Sequence, residues 1–180
     1  MSAKAAVVSD AGPLMALAKL NLLHLLKALY SYVHIPQSVY DETVTEGMRQ
    51  GYEDARTLCL FLNQMGWKPE DVDPAKIPTD LRAAHLDRGE RDTLALAITL
   101  GDALVLMDET IGRRAARACG LVTHGTLGIM IQAFHRDLIG ADQLRLYFAE
   151  LARRHDIWIN RSLAERLLRD VLENRRETPQ

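Results

Sequence analysis

Cysteine is nearly absent. Cys59 and Cys119 are the only two in 180 residues, which excludes a disulfide scaffold, and two isolated thiols are too few to build a thiolate metal site. Both lie in apolar, helical-looking segments and are expected to be buried thiols. The chain also lacks any uninterrupted apolar run near the ~20 residues that a membrane-spanning helix needs. Asp10 interrupts the N-terminal apolar stretch too early for a signal peptide, so the expectation is a cytoplasmic protein with no membrane association. An excess of either charge is missing as well: 22 basic against 24 acidic side chains leave a formal −2, which argues against a broad grip on nucleic acid through bulk positive charge. The six histidines, His24, His34, His85, His124, His135 and His155, show no HxxxH or HxH spacing, which leaves imidazole-based metal binding without a pattern. Only His124, just past a strand end, stands near other polar groups of interest. There is no internal repeat and no low-complexity tract. What is present is 48% hydrophobic and 26% charged residues, the composition of a folded globular chain. A chain of this length buries roughly 70% of its unfolded surface.

The apolar pattern alternates between short runs and helical stretches. Ala5–Ser9, Val33–Ile35, Ala103–Met107 and Leu121–Thr123 are too short for helices and rich in β-branched residues, so they are predicted buried strands. Between them, helices are predicted over Leu14–Leu20, over Leu22–Tyr30 with Asn21 as its cap, and from Pro36 to Gly47. Further helices are expected over Ala55–Met65 with Gly66 as its stop, Thr93–Leu100 ended by Gly101, Gly112–Ala118 and Thr126–Phe134. The proline-rich stretch Lys68–Thr79 is predicted to be a loop, with room for a short edge strand near Trp67. Short apolar strands alternating with helices imply a parallel sheet covered on both faces, an α/β, three-layered class. Residues 1–136 are expected to form this core and 137–180 a helical extension packed on it, with helices near Asp142–Arg154 and Ser162–Arg175. The arginines of that extension alternate with acids, as on a solvated amphipathic helix, while Leu163, Leu167, Leu168 and Leu172 need a surface to pack on.

In an open parallel sheet, functional groups gather beyond the carboxyl ends of the strands. Asp10 closes the first predicted strand and Asp108 the third. Glu42 lies on the helix begun by Pro36, and Glu90 and Asp92 lie at the start of the Thr93–Leu100 helix, where acids also suit the helix dipole. Singly, each acid reads equally well as a cap or a solvated charge. Jointly they would converge on one crevice. A carboxylate cluster repels itself unless a cation sits in it, and hard oxygen donors with few histidines select Mg²⁺ or Mn²⁺ over zinc. Metal-assisted attack of water on a phosphodiester is the chemistry such a site serves best.

Four segments carry a family resemblance: Val7-Val-Ser-Asp10-Ala-Gly-Pro-Leu14, Ile35-Pro-Gln-Ser-Val-Tyr-Asp-Glu42, Gly89-Glu-Arg-Asp92-Thr-Leu-Ala-Leu-Ala97 and Leu104-Val-Leu-Met-Asp108. From Val7 to about Ile131 the chain resembles the PIN-domain family, a metal-dependent ribonuclease fold that includes the VapC-type toxins of bacterial toxin–antitoxin pairs. The wording of Leu86-Asp-Arg-Gly-Glu90, Asp108-Glu-Thr-Ile-Gly-Arg113 and Gly125-Thr-Leu-Gly128 is closest to a poorly characterised PIN subgroup. The resemblance implies a three-layer α/β/α sandwich with a short central parallel sheet and extra C-terminal helices. It makes Asp10, Glu42, Asp92 and Asp108 the catalytic acids, with Asp10, Asp92 and Asp108 as metal ligands and Glu90 as a competitor of Asp92. The two point about 200° apart on a helix, so both cannot face one ion in the same way. The implied reaction is Mg²⁺- or Mn²⁺-dependent hydrolysis of RNA, with Glu42 orienting or deprotonating the attacking water.

Phosphate must also be attracted. Arg113, Arg114 and Arg117 follow Asp108, with Arg113 and Arg117 on one helix face, and arginine's fork suits phosphate. Thr126 opens a helix whose free N–H groups are a further place for phosphate to dock, simple capping being its ordinary role. The implied partners are an RNA substrate, a small antitoxin protein and a second copy of the chain, with the Leu14–Leu29 helices as the dimer surface. Gly12 stands where many members carry Ser, Thr or Asn, and Thr110 where some carry a further Asp. These two positions keep open a weakly active or non-catalytic nucleic-acid-binding module on the same fold. A response-regulator receiver would also place acids at strand ends, but it needs a lysine after a late strand, where this chain has His124 and Gly125.

Overall fold

The structure, a computed structural model, describes residues 5–101 and 103–176; Met1–Lys4, part of the segment read against a signal peptide, lie outside them. The chain divides between Thr126 and Leu127 into two compact units, ten residues before the boundary expected from the sequence.

The first unit is built on a short parallel sheet. β1 (Val7–Ser9) opens it, α1 (Ala11–Lys19) and α2 (His24–Tyr30) follow, and β2 (Ile35–Pro36) leads into α3 (Gln37–Tyr40). The chain continues helically through a π segment, Asp41–Glu46, into α4 (Gly47–Arg49), then α5 (Glu53–Met65), β3 (Pro69–Glu70) and α6 (Thr79–Ala83). α7 (Arg88–Leu100), β4 (Leu104–Leu106), α8 (Thr110–Ala118) and β5 (Val122–His124) complete it. β4 pairs in parallel with both β1 and β5, and β2 with β3. A single parallel bridge, Val8 to His34, ties the two sheets at β1. This is the predicted mixed α/β architecture, with helices flanking a short parallel sheet.

β1 and β2 are buried on both faces and β4 nearly so, as their unbroken apolar runs require, while β5, at the end of the sheet, leaves Val122 exposed. α7 lies along β1, β2 and β4, and α8 packs beside β5. Val8, Leu81, Leu94, Leu96, Val105, Met107 and Ala116 belong to one buried core cluster, with Ile77, Leu86 and Leu121 partly buried against it. α1 packs on α5, and Leu14, Leu17, Leu25, Leu26, Leu29 and Leu58 are almost wholly inaccessible. The α1–α2 leucines expected to offer a dimer surface are therefore spent inside the chain.

Two local readings change, that of Asn21 and that of the cysteines. Asn21 does not cap the second helix; it closes the first. It takes φ 57, its N–H donates to Ala18 O at 3.1 Å, and the N–H of Leu22 reaches Leu17 O at 2.8 Å, a Schellman closure in which asparagine tolerates the left-handed conformation. Gly66 closes α5 the same way, as expected, at φ 66, with Trp67 N–H on Leu62 O. The cysteines are less buried than expected: Cys59 is half-buried, and Cys119 is exposed because it sits at the C-terminal cap of α8.

The second unit contains most of α9 (Thr126–His135), then α10 (Ala141–Arg153) and α11 (Arg161–Arg176). α10 and α11 pack on each other. The charge alternation resolves into short-range ion pairs, Arg145–Asp142 and Arg153–Glu150, each three residues apart. Leu163, Leu167, Leu168 and Leu172 are half-buried. No helix among the described residues is long and apolar enough to cross a membrane.

Since Leu26 is wholly inaccessible within the chain, Leu26→Ala is expected to destabilise the protein by about 2–5 kcal/mol. Urea denaturation measures this. A variant that lost a dimer by size-exclusion chromatography while keeping its denaturation midpoint would show that the leucine serves an interface instead.

Candidate active site

The parallel register sets the two strand-end acids side by side. Ser9 pairs with Leu106, so β1 and β4 finish together; Asp10 N–H donates to Leu106 O at 2.9 Å, and Asp108 follows two residues after Leu106. Asp10 occupies the N-cap position of α1, yet its side chain does not make the usual capping bond deeper in the first turn. It is 6% exposed. Burial, followed by repulsion from Asp87, Glu90 and Glu42, raises its carboxyl to about 7, against a lowering hydrogen bond from the Ala11 N–H.

Glu42 is carried by the π segment. There Thr43 Oγ1 donates to Val39 O at 2.7 Å, and Gln37 Nε2 to Asp41 Oδ1 at 2.8 Å. Such i→i+5 turns are rare and recur at functional sites. Burial, then Asp87 and Glu90, raise the Glu42 carboxyl.

α7 begins with a capping box. Glu90 N–H donates to Asp87 Oδ1 at 2.7 Å, and Asp87 N–H donates to Glu90 Oε2 at 3.0 Å. The Glu90 carboxyl is raised first by burial, then by Asp87 and Glu109, while N–H groups of Asp87 and Gly112 lower it. Glu90 thus connects two neighbourhoods: Asp10, Glu42 and Asp87 on one side, Glu109 on the other.

Asp92, two residues along, belongs to neither. It is 8% exposed, its nearest cation is Arg88 at 3.7 Å, and it lines a cavity with Val72, Ile77, Arg82 and Arg91. The half-turn between positions 90 and 92 separates them: the structure turns Glu90 toward Asp10 and Asp92 away from it.

Asp108 is half-buried and fixed. Thr126 donates twice, from its backbone N–H to Oδ1 at 2.8 Å and from Oγ1 to Oδ2 at 2.6 Å. Burial raises the Asp108 carboxyl, against these two bonds and the nearby Arg113 guanidinium. Thr126 is wholly buried and gives both donors to Asp108, so it has none free for the phosphate expected from its place at a helix start. Arg113 faces this carboxylate, whereas Arg114 and Arg117 are exposed on α8.

Two glycines allow the close approach. A Cβ at Gly112 would lie 2.7 Å from Glu90 Oε1, and one at Gly125 2.7 Å from Asp108 Oδ1 and 3.2 Å from Arg113 Nη1. At Gly12 a Cβ would meet Asp108 Oδ2 at 3.4 Å, an ordinary contact. Asp87, Gly112 and Gly125 have no site role in the sequence reading, whereas Gly12 stands out there as a departure from the family pattern. The Asp87-x-x-Glu90 spacing is the available signal for the first; nothing local in the sequence announces Gly112 and Gly125.

A cavity of about 350 Å³ opens on the cluster, lined by Ser38, Asp41, Glu42, Asp87, Arg88 and Gly89. Ser38 Oγ, buried in its wall, has no hydrogen-bond partner among the described residues. A larger apolar cavity, about 470 Å³, lies at the other ends of the strands by Ala5, Leu104 and Val122, away from the acids. Among the described residues no three His, Cys, Asp or Glu side chains are close enough to form a ready metal cage. The donor chemistry nevertheless fits a hard divalent cation: oxygen only, several carboxylates each raised by burial, and an orphaned hydroxyl beside them.

A family model described as a PIN domain matches residues 6–173. No curated protein and no solved structure matches the chain.

The pH dependence of stability follows from Asp10. Its folded carboxyl near 7 lies above the ordinary 3.8, so the folded state holds a proton that the unfolded state releases. That stabilisation is complete below about pH 4 and is lost as pH rises through 7, on the order of 4 kcal/mol at most. Asp10→Asn is expected to be more stable than the wild type at pH 8 in metal-free buffer, with the gap closing toward pH 4. Parallel denaturation curves at the two pH values would sink this account of Asp10.

Proposed function

The chain belongs to the PIN-domain family, a nuclease-type fold, and from its converging carboxylates we propose that it is a Mg²⁺- or Mn²⁺-dependent endoribonuclease. PIN domains are generally nucleases and typically use divalent metals. The observation that carries the reading is the burial of two carboxylates, Asp10 and Glu90, with the more exposed Glu42 inside their field and Asp108 at the neighbouring strand end. Proteins seldom keep such a set unless a cation is to share it.

In this reading Asp10, Glu90 and Asp108 would hold the ion, with Glu90 taking the place that the sequence alone favoured for Asp92. A bound divalent cation supplies Lewis-acid polarisation of the phosphodiester and makes water a stronger nucleophile near neutral pH. The chain's own residues do the rest. Glu42, whose raised carboxyl lines the cavity, accepts the proton from the attacking water. Thr126 keeps Asp108 from rotating, and Arg113 balances its charge. Arg114 and Arg117, exposed on α8, offer forks to the phosphates of an incoming RNA strand. The biological role we propose is the toxin of a toxin–antitoxin pair, inhibited by a small partner protein. Metal binding without RNA cleavage would favour the non-catalytic module instead.

Glu90→Gln separates the roles of that side chain, because glutamine still closes a capping box but carries no charge. It is expected to lower Mn²⁺-dependent cleavage of an RNA panel by at least about a hundredfold, as removal of a catalytic group typically does. Asp92→Asn is expected to keep the metal dependence. The reverse order of the two variants would return the ligand role to Asp92. Toxicity on expression, abolished by Asp108→Ala, tests the toxin role separately.

A further inference from the structure

Beside the acidic cavity lies a second one of the opposite character. It measures about 280 Å³ and is lined by Val72, Pro74, Ile77, Arg82, Arg88, Arg91 and Asp92. Three guanidinium groups thus face a single carboxylate. Arg88 lines both cavities, which makes them neighbours on either side of the start of α7.

The three arginines are held differently. Arg82 is anchored: Nε donates to Ile77 O at 2.9 Å, and Nη2 to Pro74 O at 2.7 Å and Ala75 O at 3.3 Å. Those bonds fix the loop and leave Nη1 uncommitted. Arg88 is 74% exposed and is steered by Asp92 at 3.7 Å, too long for a tight ion pair. Arg91 is half-buried, and its guanidinium has no hydrogen-bond or ion-pair partner among the described residues. Withdrawing an arginine from water without a partner is costly. An anion that enters the cavity removes that cost, and a tetrahedral phosphate matches the fork of each guanidinium.

We propose that this cavity is a phosphate subsite, in which Arg88 and Arg91 clamp a backbone phosphate of a single RNA strand flanking the phosphate at the carboxylates. Asp92 is the positioning residue of the clamp: it orients Arg88 and touches neither metal nor substrate. The strand as source of the phosphate rests on the ribonuclease reading. The cavity's affinity for phosphate does not.

The test is binding of a labelled ten-nucleotide RNA to the full chain in EDTA, followed by anisotropy over a range of salt. Arg88→Ala/Arg91→Ala is expected to weaken binding about tenfold or more and to flatten the salt dependence by roughly 0.7 in slope for each arginine. Arg88→Lys/Arg91→Lys keeps the salt slope and recovers only part of the affinity, since lysine retains charge without the fork. Arg56→Ala, an exposed charge removed from α5, leaves binding unchanged. Thermal unfolding checks that every variant is folded. RNA affinity indifferent to both arginine pairs overturns the proposal. Calorimetry with inorganic phosphate separates the sources: if phosphate binding needs the arginines while RNA binding ignores them, the cavity takes the free anion and the strand assignment fails. Cleavage in Mn²⁺ is scored apart. A protein that binds RNA through the arginines and cuts nothing loses the ribonuclease reading and keeps the subsite, whereas cleavage with an unchanged KM in the double alanine variant loses the subsite alone.

Discussion

Burying like charges beside one another works against folding, and this chain does it where β1 and β4 end. Loss of water is the largest cause that raises the carboxyls of Asp10, Glu42 and Glu90; repulsion from Asp87 adds to all three, and repulsion from Glu90 adds to Asp10 and Glu42. The surrounding structure makes the arrangement tolerable. The capping box gives the Glu90 carboxylate the Asp87 N–H, Thr126 gives Asp108 a backbone N–H and a hydroxyl, and Arg113 supplies a nearby positive charge. Glycines at 112 and 125 withdraw side chains from the space the carboxylates need. The short parallel sheet exists, in this sense, to deliver acids to one edge.

That constraint also orders the neighbourhood by sign. Negative charge is drawn to the inward side of the first turn of α7 and positive charge to its other side, so a single helical turn carries Glu90 toward Asp10 and Arg88, Arg91 and Asp92 toward a separate cavity. The net charge of the chain conceals this. A formal −2 is the sum of an acidic cleft and a basic one in contact, and neither would be suspected from the total.

Elements and their order were legible because burial on both strand faces leaves an unbroken apolar run, and because Gly66 has an unambiguous signature as a helix stop. Asn21 was misread because asparagine serves at either end of a helix, and only the backbone conformation distinguishes the two. The leucines of α1 and α2 look alike whether they pack against α5 or against another chain. For the site, Asp10, Glu42 and Asp108 could be named from their place after strands or on a helix. The choice between Glu90 and Asp92 could not be made by spacing, since spacing sets the angle between them, about 200°, and not which of the two faces the strand ends. The Asp87–Glu90 capping box fixes that phase, and it was present in the sequence as an unused pattern.

The capping box has one more consequence. A carboxylate that closes a helix and also answers to a ligand is shared property: each departure of Glu90 toward the acids beside it would leave the Asp87 N–H unbonded and loosen the first turn of α7. The start of that helix would then behave as a latch whose rest position is the helix itself. Amide exchange at residue 87, rather than any change in the sheet, would report how often it opens.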